Sequence, residues 1–317
     1  GVILITIYLG NIAGEVPAQY LDPAGRQFNS NSEEKFIQDK KLNEPLFYFS
    51  LGAEKLASLP LLFPDFNFNG MDNRFHRYCG NILNGTFGFS ESYQKPVIDV
   101  LKKPFLVTFS INIIAIIFSY SLGILFAYYI VAYEKKWFDK IFSGMNSLFF
   151  SIPSFWLAIV LLWLFANRQN LHLFPASGWY STDSISLNNI GQWIWHLILP
   201  VISLSLGTLA YISLTLKKSL EKECQKPYFM TAMSKGLTRK EAIRKHAFQN
   251  SILPVLAVSM NILPSLISGS VIIESIFAIP GMGKLAFDSF LSRDLPLVYA
   301  ITVFAAALTW INWVLID

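Results

Sequence analysis

Five stretches of the chain lack Asp, Glu, Lys and Arg and are long enough to cross a membrane. They are residues 104–133, 141–167, 184–216, 251–273 and 295–316. A helix needs about 20 mostly apolar residues to cross the hydrocarbon core of a bilayer. The third stretch exceeds that length, so we place its helix at 193–216. The pattern therefore predicts five transmembrane helices.

The chain begins with a further apolar run, residues 1–13, which is too short to cross a bilayer unaided. It has neither an initiator Met nor a preceding basic region, which argues against a signal peptide. We interpret it as the second half of another transmembrane helix, and we expect both ends of the chain to be truncated. The sequence thus predicts an all-α membrane protein with six transmembrane helices.

The composition supports a membrane protein. Of the 317 residues, 53% are hydrophobic and only 15% are charged, whereas soluble domains contain about 25% charged residues. This balance excludes a disordered chain, a collagen, a disulfide scaffold and a typical nucleic-acid-binding domain. We therefore expect no nucleic-acid partner.

Two loops carry an excess of positive charge. Residues 217–250, called the basic segment below, contain nine Lys or Arg against three acids, and residues 134–140 contain three Lys against two acids. Short loops rich in Lys and Arg stay in the cytoplasm. This rule predicts that both loops and both chain termini are cytoplasmic, and that residues 14–103 lie outside.

The basic segment has the sequence signals of two short helices. Pro227 suits the first turn of a helix, and Gly236 suits its C-terminal cap. Thr238 with Glu241 three positions later forms a capping-box pattern that starts a second helix. Positive charge alone would suit contact with anionic lipid headgroups. The first predicted helix, however, carries four apolar residues that would suit a protein partner: Tyr228, Phe229, Met230 and Met233.

An ordered set of residues runs through this part of the chain: Tyr228, Thr231, Ala232, Lys235, Gly236, Leu237, His246, Asn250, Leu253 and Pro254. It resembles the signature of permease subunits of ATP-binding-cassette importers of the dipeptide/oligopeptide/nickel class. The resemblance continues at Gly85–Ser90, Ser151–Phe155, Pro175–Gly178, Gly269–Ser270, Glu274, Phe277, Pro280–Gly283 and Asp294–Pro296. One departure is that Met230-Thr231-Ala232 stands where the general permease motif has Glu-Ala-Ala.

The resemblance implies the type I importer permease fold, with a long external segment between transmembrane helices 1 and 2. Residues 1–13 would be the truncated helix 1, residues 14–103 the periplasmic segment, and residues 104–317 a five-helix core that includes the basic segment. It implies a multi-pass protein of the bacterial cytoplasmic (inner) membrane. Residues 51–73 look like an insertion that the resemblance does not explain.

The resemblance also implies partners: a second homologous permease, two ABC ATPase subunits, an extracytoplasmic solute-binding protein and membrane lipids. The chain has no G-x-x-x-x-G-K-[ST] loop to hold the phosphates of ATP. We therefore expect this chain not to be an enzyme and to bind no nucleotide cofactor itself. The two Cys residues are predicted to lie on opposite sides of the membrane and no EF-hand spacing occurs, so we expect no metal site either. ATP and Mg are expected on the ATPase subunits.

Three groups of residues are candidates for function under this resemblance. The ATPase-coupling group is Tyr228, Phe229, Met230, Thr231, Ala232, Lys235, Gly236 and Leu237. The translocation-path group is Ser110, Asn112, Ser151, Ser154, Ser205, Asn261 and Ser265, whose neutral side chains suit contact with a peptide backbone. The group at the outer mouth is Glu274, Pro280, Gly281 and Gly283, which forms an irregular turn. We expect Glu274 to pair with a basic group or with backbone donors.

The leading hypothesis is therefore a permease subunit that moves peptides by alternating access driven by partner ATPases. Nickel chelates, glutathione and short glycans remain open as substrates. The alternatives are an ion-coupled secondary carrier or channel acting without ATPase subunits, and a membrane-anchored scaffold. The predicted spans carry no acidic or basic residue at mid-membrane, and ion or proton routes normally need one.

Overall fold

The computed structural model describes residues 45, 47–51, 66–134, 136–177, 179, 187–259 and 270–316, and this part of the chain is mostly helical. The strands are β1 Phe49–Leu51, β2 Phe66–Phe68, β3 Phe89–Ser90 and β4 Lys95–Pro96. The first helices are α1 Arg74–Leu83, α2 Val97–Tyr133, α3 Lys136–Ser151, α4 Ser154–Leu161 and α5 Leu187–Cys224. The remaining helices are α6 Pro227–Ser234, α7 Arg239–Ala242, α8 Phe248–Ser251, α9 Leu253–Ser259, α10 Val271–Ile276, α11 Met282–Leu291 and α12 Leu295–Ile316. Two π-helical turns, Leu162–Ala166 and Ile243–Ala247, continue α4 and join α7 to α8.

The chain divides into two compact units. The first comprises Gly1–Lys102 and Ala286–Phe304, and the second comprises Lys103–Leu285 and Ala305–Asp317. In the first unit, β1 pairs with β2 and β3 with β4, both antiparallel. Phe49 faces Phe68 across the first pair, with ring centroids 5.2 Å apart. Both of these rings are exposed to solvent.

The buried carboxylate of Asp294 joins two segments of the first unit that are distant in sequence. The Ser90 hydroxyl donates a hydrogen bond to Asp294 Oδ2 at 2.5 Å, and the Ser92 N–H donates to the same oxygen at 3.1 Å. Gly88 has φ +86°, and a Cβ added there would lie 3.6 Å from Pro296 Cβ. Gly88 and Ser90 of the family resemblance thus lie against Pro296 and Asp294, two of its residues that are distant in sequence.

In the second unit, α2 packs on α5 along a row of small residues. Ala115, Ser119, Gly123 and Ala127 recur every four positions on α2, and all are buried. The Ser119 hydroxyl donates to the carbonyl oxygen of Ser205 on α5 at 3.0 Å. Small residues let membrane helices approach closely, and the contact between backbones replaces a hydrophobic driving force that lipid does not supply.

Gly123 lies at the tightest point of this row, so Gly123→Leu is expected to destabilise the second unit by about 1–3 kcal/mol, the usual cost of overpacking. Even a single Cβ at this position would lie 3.1 Å from Ile212 Cγ2 and 3.2 Å from the Leu209 carbonyl oxygen. Thermal unfolding of the purified protein in detergent measures the effect. Gly144→Leu is the control, because a Cβ at Gly144 has no heavy atom within 4 Å. Equal losses in both variants would contradict the prediction.

The apolar stretch 141–167 is not one straight helix. α3 ends at Ser151 and α4 begins at Ser154, and the two axes are bent by 103° across Ile152 and Pro153. Proline has no N–H to donate and its ring clashes with the preceding turn, so it breaks or kinks a helix. The sequence predicted one span over residues 141–167, and the structure instead has a sharp break at Ile152 and Pro153.

The other predicted spans agree with the helices of the structure to different extents. Helices α2, α5 and α12 cover 104–133, 193–216 and 295–316, which confirms those three predictions as helices. Stretch 251–273 contains α9 and the beginning of α10, while 260–269 and 1–13 lie outside the described residues. Within the described residues, two helices are long and apolar enough to cross a membrane, or three if the bent pair α3–α4 is one span. The count of six therefore stays a prediction.

Candidate functional site

Helix α6 lies in the basic segment and has the predicted boundaries. Pro227 occupies the start of the helix, where its missing N–H costs nothing, and Lys226 before it is extended. The helix ends at Ser234, and Gly236 follows with φ +90°. A left-handed conformation of this kind favours glycine because a Cβ would be strained. The predicted role of Gly236 as the turn after the helix is confirmed.

The apolar side chains of α6 divide between the interior and the surface. Phe229 is 1% exposed and Ala232 is 7% exposed, and both belong to a buried cluster with Leu216 and Leu220 of α5. Tyr228, Met233 and Leu237 pack partly against the same cluster. Met230 points away and is 61% exposed. Phe229 thus anchors α6 to α5 of the same chain. Met230 is a large apolar side chain that α6 exposes on the protein surface.

Polar residues surround Met230 on the exposed face of α6. Thr231, Ser234 and Lys235 are exposed. The Thr231 hydroxyl donates to the Pro227 carbonyl oxygen at 3.0 Å, and the Ser234 hydroxyl donates to that of Met230 at 3.0 Å. Because these two hydroxyls are bonded within the helix, the exposed face is a small, mostly neutral knob centred on Met230.

Tyr228 ties α6 to the end of α5. Its hydroxyl donates to Glu223 Oε2 at 2.6 Å, while Lys226 Nζ donates to Glu223 Oε1 at 2.7 Å. Asn250 Nδ2 lies 3.5 Å from the same hydroxyl. Burial, and then the hydrogen bond to Glu223, raise the pKa of the Tyr228 hydroxyl. The hydroxyl therefore stays protonated at neutral pH and keeps its role as donor.

The second helix of the basic segment begins with the predicted capping box. Thr238 caps α7 and accepts from the Glu241 N–H, while the Thr238 N–H and hydroxyl donate to Glu241 Oε2 at 3.0 and 2.7 Å. These hydrogen bonds from Thr238 lower the pKa of Glu241. Arg239 then joins α7 to the end of α2, because it donates to the Val131 carbonyl oxygen and pairs with Glu134 at 3.1 Å.

A cavity of about 390 Å³ opens beside the break between α3 and α4. Its lining includes the polar residues Ser154, Ser203, Thr208 and Tyr211, next to Phe149, Phe150 and Ile152. The Ser203 hydroxyl donates to the Pro200 carbonyl oxygen at 2.8 Å. Pro153 cannot donate to the Phe149 carbonyl four residues earlier, so that oxygen lacks its usual helical partner. In a membrane, such backbone groups are tolerated where they are buried in protein or line a wet cavity.

The predicted path residues fall in several places. Ser154 lines the cavity. Ser110, Ser151 and Ser205 donate to carbonyl oxygens within their own helices, those of Leu106, Ser147 and Ile202. Asn112 is half-buried on α2, and Asn261 and Ser265 lie outside the described residues. Ser203 and Thr208 also line the cavity. They belong to the wider set of small polar residues in the predicted spans but were not among the seven path candidates, because nothing in the sequence distinguishes them from the rest of that set.

Glu274 on α10 is buried and holds together an irregular turn. Thr108 Oγ1 of α2 donates to Glu274 Oε1 at 2.9 Å, and the Lys284 N–H donates to Glu274 Oε2 at 2.8 Å. Thr108 Oγ1 also accepts the Met282 N–H at 2.7 Å. The expectation that Glu274 pairs with backbone donors is confirmed. Thr108 was missed, because a lone Thr in an apolar stretch carries no signal.

Gly281 and Gly283 make room for this carboxylate. A Cβ on Gly281 would lie 2.5 Å from Glu274 Cδ and from Thr108 Oγ1, and one on Gly283 would lie 2.8 Å from the Val271 nitrogen. Pro280 precedes them in the non-helical connection between α10 and α11. The turn therefore needs glycine at both positions, because a larger side chain would not fit. We name the contacts among Glu274, Thr108 and Gly281 the Glu274 clamp.

Comparison with known proteins shows which family this chain belongs to. Residues 104–317 match the family described as the binding-protein-dependent transport system inner membrane component. The chain belongs to this family. The permease is 34% identical over 235 residues to a dipeptide transport system permease protein of Bacillus subtilis, a match that covers 73% of this chain and 72% of the relative.

Other relatives have similar names. The permease is 31% identical over 253 residues to an oligopeptide transport system permease protein of Bacillus subtilis. This match covers 77% of this chain and 76% of the relative. It is 33% identical over 230 residues to a peptidoglycan transport system permease protein of Agrobacterium fabrum. This match covers 71% of this chain and 63% of the relative. The resemblance inferred from the sequence motifs is thereby confirmed.

Family membership decides between the hypotheses about mechanism. The permease is the membrane component of a transport system that depends on a binding protein. An ion-coupled carrier or a channel acting by itself is not supported. Membership and the apolar helices together assign the chain to a membrane.

Proposed function

We propose that this permease moves peptides across the bacterial cytoplasmic membrane as one of two homologous permease subunits of an ABC importer. The relatives named above as dipeptide and oligopeptide permeases support peptides as the substrate. The observation that carries the proposal is the cavity at the α3–α4 break, whose lining contains no ionisable side chain other than the Tyr211 phenol. Hydroxyl groups and a helix carbonyl that lacks its usual N–H donor can bond a peptide backbone without trapping a charge.

The proposed topology has six transmembrane helices, with residues 1–13 in helix 1 and residues 104–317 in a five-helix core. Residues 14–103 lie in the periplasm, and both termini and the basic segment lie in the cytoplasm, as the distribution of Lys and Arg favours. A solute-binding protein delivers substrate to the periplasmic side. Two ATPase subunits, which carry ATP and Mg, dock on the cytoplasmic side.

The proposed coupling element is α6 with its exposed knob. Met230, Thr231 and Ser234 contact a groove on an ATPase subunit, while Phe229, Ala232 and Leu237 hold α6 to the permease. Movement of the ATPase then reaches α5 through the buried cluster and through the hydrogen bond from Tyr228 to Glu223. Because α5 also lines the cavity at Ser203 and Thr208, the same helix connects the coupling element with the path. This arrangement supports alternating access driven by the ATPases.

Uptake of labelled substrates by cells tests the function. We expect cells with the intact transport system to accumulate a labelled dipeptide or oligopeptide, and we expect deletion of this permease to abolish that uptake. Thr208→Val removes a hydroxyl from the cavity at nearly constant volume and is expected to reduce uptake several-fold without reducing the amount of permease in the membrane. Ser110→Ala is the control, because Ser110 bonds within its own helix. Uptake of nickel, glutathione or a glycan in place of peptides would overturn the proposed substrate.

A further inference from the structure

A second cavity lies between the end of α2, the beginning of α3 and α7. It has a volume of about 500 Å³ and is lined by Leu125, Phe126, Tyr128, Tyr129, Tyr133, Phe138 and Lys240. We name it the aromatic pocket. It is separate from the cavity at the α3–α4 break and shares no lining residue with it. Its volume lies in the range of sites that hold small organic ligands.

The lining of the aromatic pocket is apolar at one end and charged at the other. Leu125 and Phe126 lie toward the middle of the predicted span, and Tyr129 and Tyr133 follow one and two turns later, toward the basic segment. Lys240 closes the polar end: its Nζ donates to the Tyr133 hydroxyl at 3.0 Å and lies 5.3 Å from the centre of that ring. Tyrosines at the level of the headgroups are typical of the membrane–water interface.

The ammonium group of Lys240 has no carboxylate partner in the described part of the chain. The acid nearest to the end of α2, Glu134, pairs with Arg239. Glu241, the next residue of α7, is engaged in the capping box with Thr238. Arg244 is a further positive charge that acts on Lys240. The polar end of the aromatic pocket therefore has a net positive charge that is suited to an anion.

An exposed apolar stripe on α2 leads away from the pocket. Ile117 is 59% exposed, Phe118 is 38% exposed and Leu125 is 60% exposed. A further hollow of about 340 Å³ lies along this stripe beside Ile117, Phe118 and Leu122. From Phe118 to Tyr129 the helix rises about 16 Å at 1.5 Å per residue. That length is comparable with the extended acyl chain of a phospholipid.

The two faces of α2 differ in the size of their side chains. The buried face packs on α5 through Ala115, Ser119, Gly123 and Ala127, the small residues that close helix packing in membranes requires. The exposed stripe carries Phe, Leu, Ile and Tyr instead. Another membrane helix packed there would meet large side chains and would leave Lys240 without a counter-charge. An anionic amphiphile supplies a flexible apolar chain for the stripe and a negative charge for Lys240.

We propose that the aromatic pocket binds one anionic phospholipid of the leaflet on the side of the basic segment. Its phosphate contacts Lys240 and the Tyr133 hydroxyl, and one acyl chain lies over Leu125 and the stripe of α2. The bound lipid adds a contact between α7 of the basic segment and the end of α2, beside the pair of Arg239 with Glu134. The proposal needs only that the chain spans a membrane and does not depend on the identity of the substrate.

Native mass spectrometry of the permease, purified with its own partner subunits in mild detergent, tests the site. The probes are dioleoyl phosphatidylglycerol, which is anionic, and dioleoyl phosphatidylethanolamine, which is not. We expect one phosphatidylglycerol retained per permease, and about a five-fold loss of its preference over phosphatidylethanolamine in Lys240→Gln, the factor that one basic residue near an anionic membrane supplies. Lys245→Gln removes the same charge from an exposed position of the basic segment outside the pocket lining and is expected to retain the lipid.

Two further variants distinguish a bound lipid from simple attraction by charge and from a packed protein helix. Leu125→Trp fills the apolar end with Lys240 intact and is expected to reduce lipid retention, whereas attraction by charge alone would leave it unchanged. A photo-crosslinking residue at position 125 is expected to form a lipid adduct in membranes. Equal losses in Lys240→Gln and Lys245→Gln, or a crosslink to a protein helix with no lipid adduct, would overturn the proposal. Recovery of the intact complex by size-exclusion chromatography shows that each variant is assembled.

Discussion

Gly281→Ala is expected to destabilise the permease by about 2–6 kcal/mol, because the added Cβ would lie 2.5 Å from Glu274 Cδ and from Thr108 Oγ1. Neither side chain has room to move, since both are buried and bonded to each other. Displacing them frees the N–H groups of Met282 and Lys284, and each buried unsatisfied donor costs about 1–3 kcal/mol. Thermal unfolding in detergent and the amount of folded permease in the membrane measure the effect.

A matched substitution and a double-mutant cycle separate the clamp from a general effect of replacing glycine. Gly80→Ala is the control, since a Cβ at Gly80 has no heavy atom within 4 Å and alanine favours the helix α1. If the clash with Glu274 carries the effect, Gly281→Ala is expected to cost clearly less in a Glu274→Ala background than in the wild type. Additive losses would show that the Glu274 clamp is not the cause.

Met230→Asp is expected to weaken the association of the permease with its ATPase subunits by about 3 kcal/mol, or about a hundred-fold in affinity. The proposed interface would bury the exposed Met230 side chain, and a carboxylate without a partner is costly to bury. Transport driven by ATP is expected to fall with it, while folding is unaffected because Met230 makes no contribution to the buried cluster. Co-purification of the ATPase subunits and uptake of labelled peptide measure the two effects.

The control for Met230→Asp is Gln249→Asp, which adds the same charge at an exposed position of α8 in the same basic segment. Phe229→Ala provides a contrast from the opposite face of α6, since Phe229 is buried in the permease itself and its loss is expected to cost about 3–5 kcal/mol of stability. If Met230→Asp retains its ATPase subunits as well as Gln249→Asp does, α6 is not the coupling element proposed above.

The basic segment was predictable because its signals are local. Pro227, Gly236 and the pair of Thr238 with Glu241 each act within one helical turn, so the sequence alone indicates where α6 ends and α7 begins. The burial of Phe229 and the exposure of Met230 were not predictable in the same way. Both are apolar and adjacent, and which of them faces the chain depends on the direction from which α5 approaches.

The candidate path shows the opposite balance. Ser110, Ser151, Ser154 and Ser205 look alike in the sequence, and the structure distinguishes them by their partners: three bond within their own helices, and Ser154 lines a cavity. Proline at position 153 favours a bend in the helix, but the size of the bend and the cavity beside it depend on the packing of α3 and α4 against α5. Hydrophobic periodicity carries no information about such packing.

The amino-acid sequence was sufficient to identify a helical membrane protein of the binding-protein-dependent transport family, and a basic segment with two helices joined at Gly236. Apolar length, Lys and Arg distribution and capping residues are local properties, and they act before any helix meets another. Three features required the folded structure: the close packing of α2 on α5 at Gly123, the space that Gly281 leaves for Glu274 beside Thr108, and the position of Lys240 at the end of the aromatic pocket. Each of these depends on atoms brought together from positions far apart in the chain, where the distance between side chains and not their chemical type decides what they do.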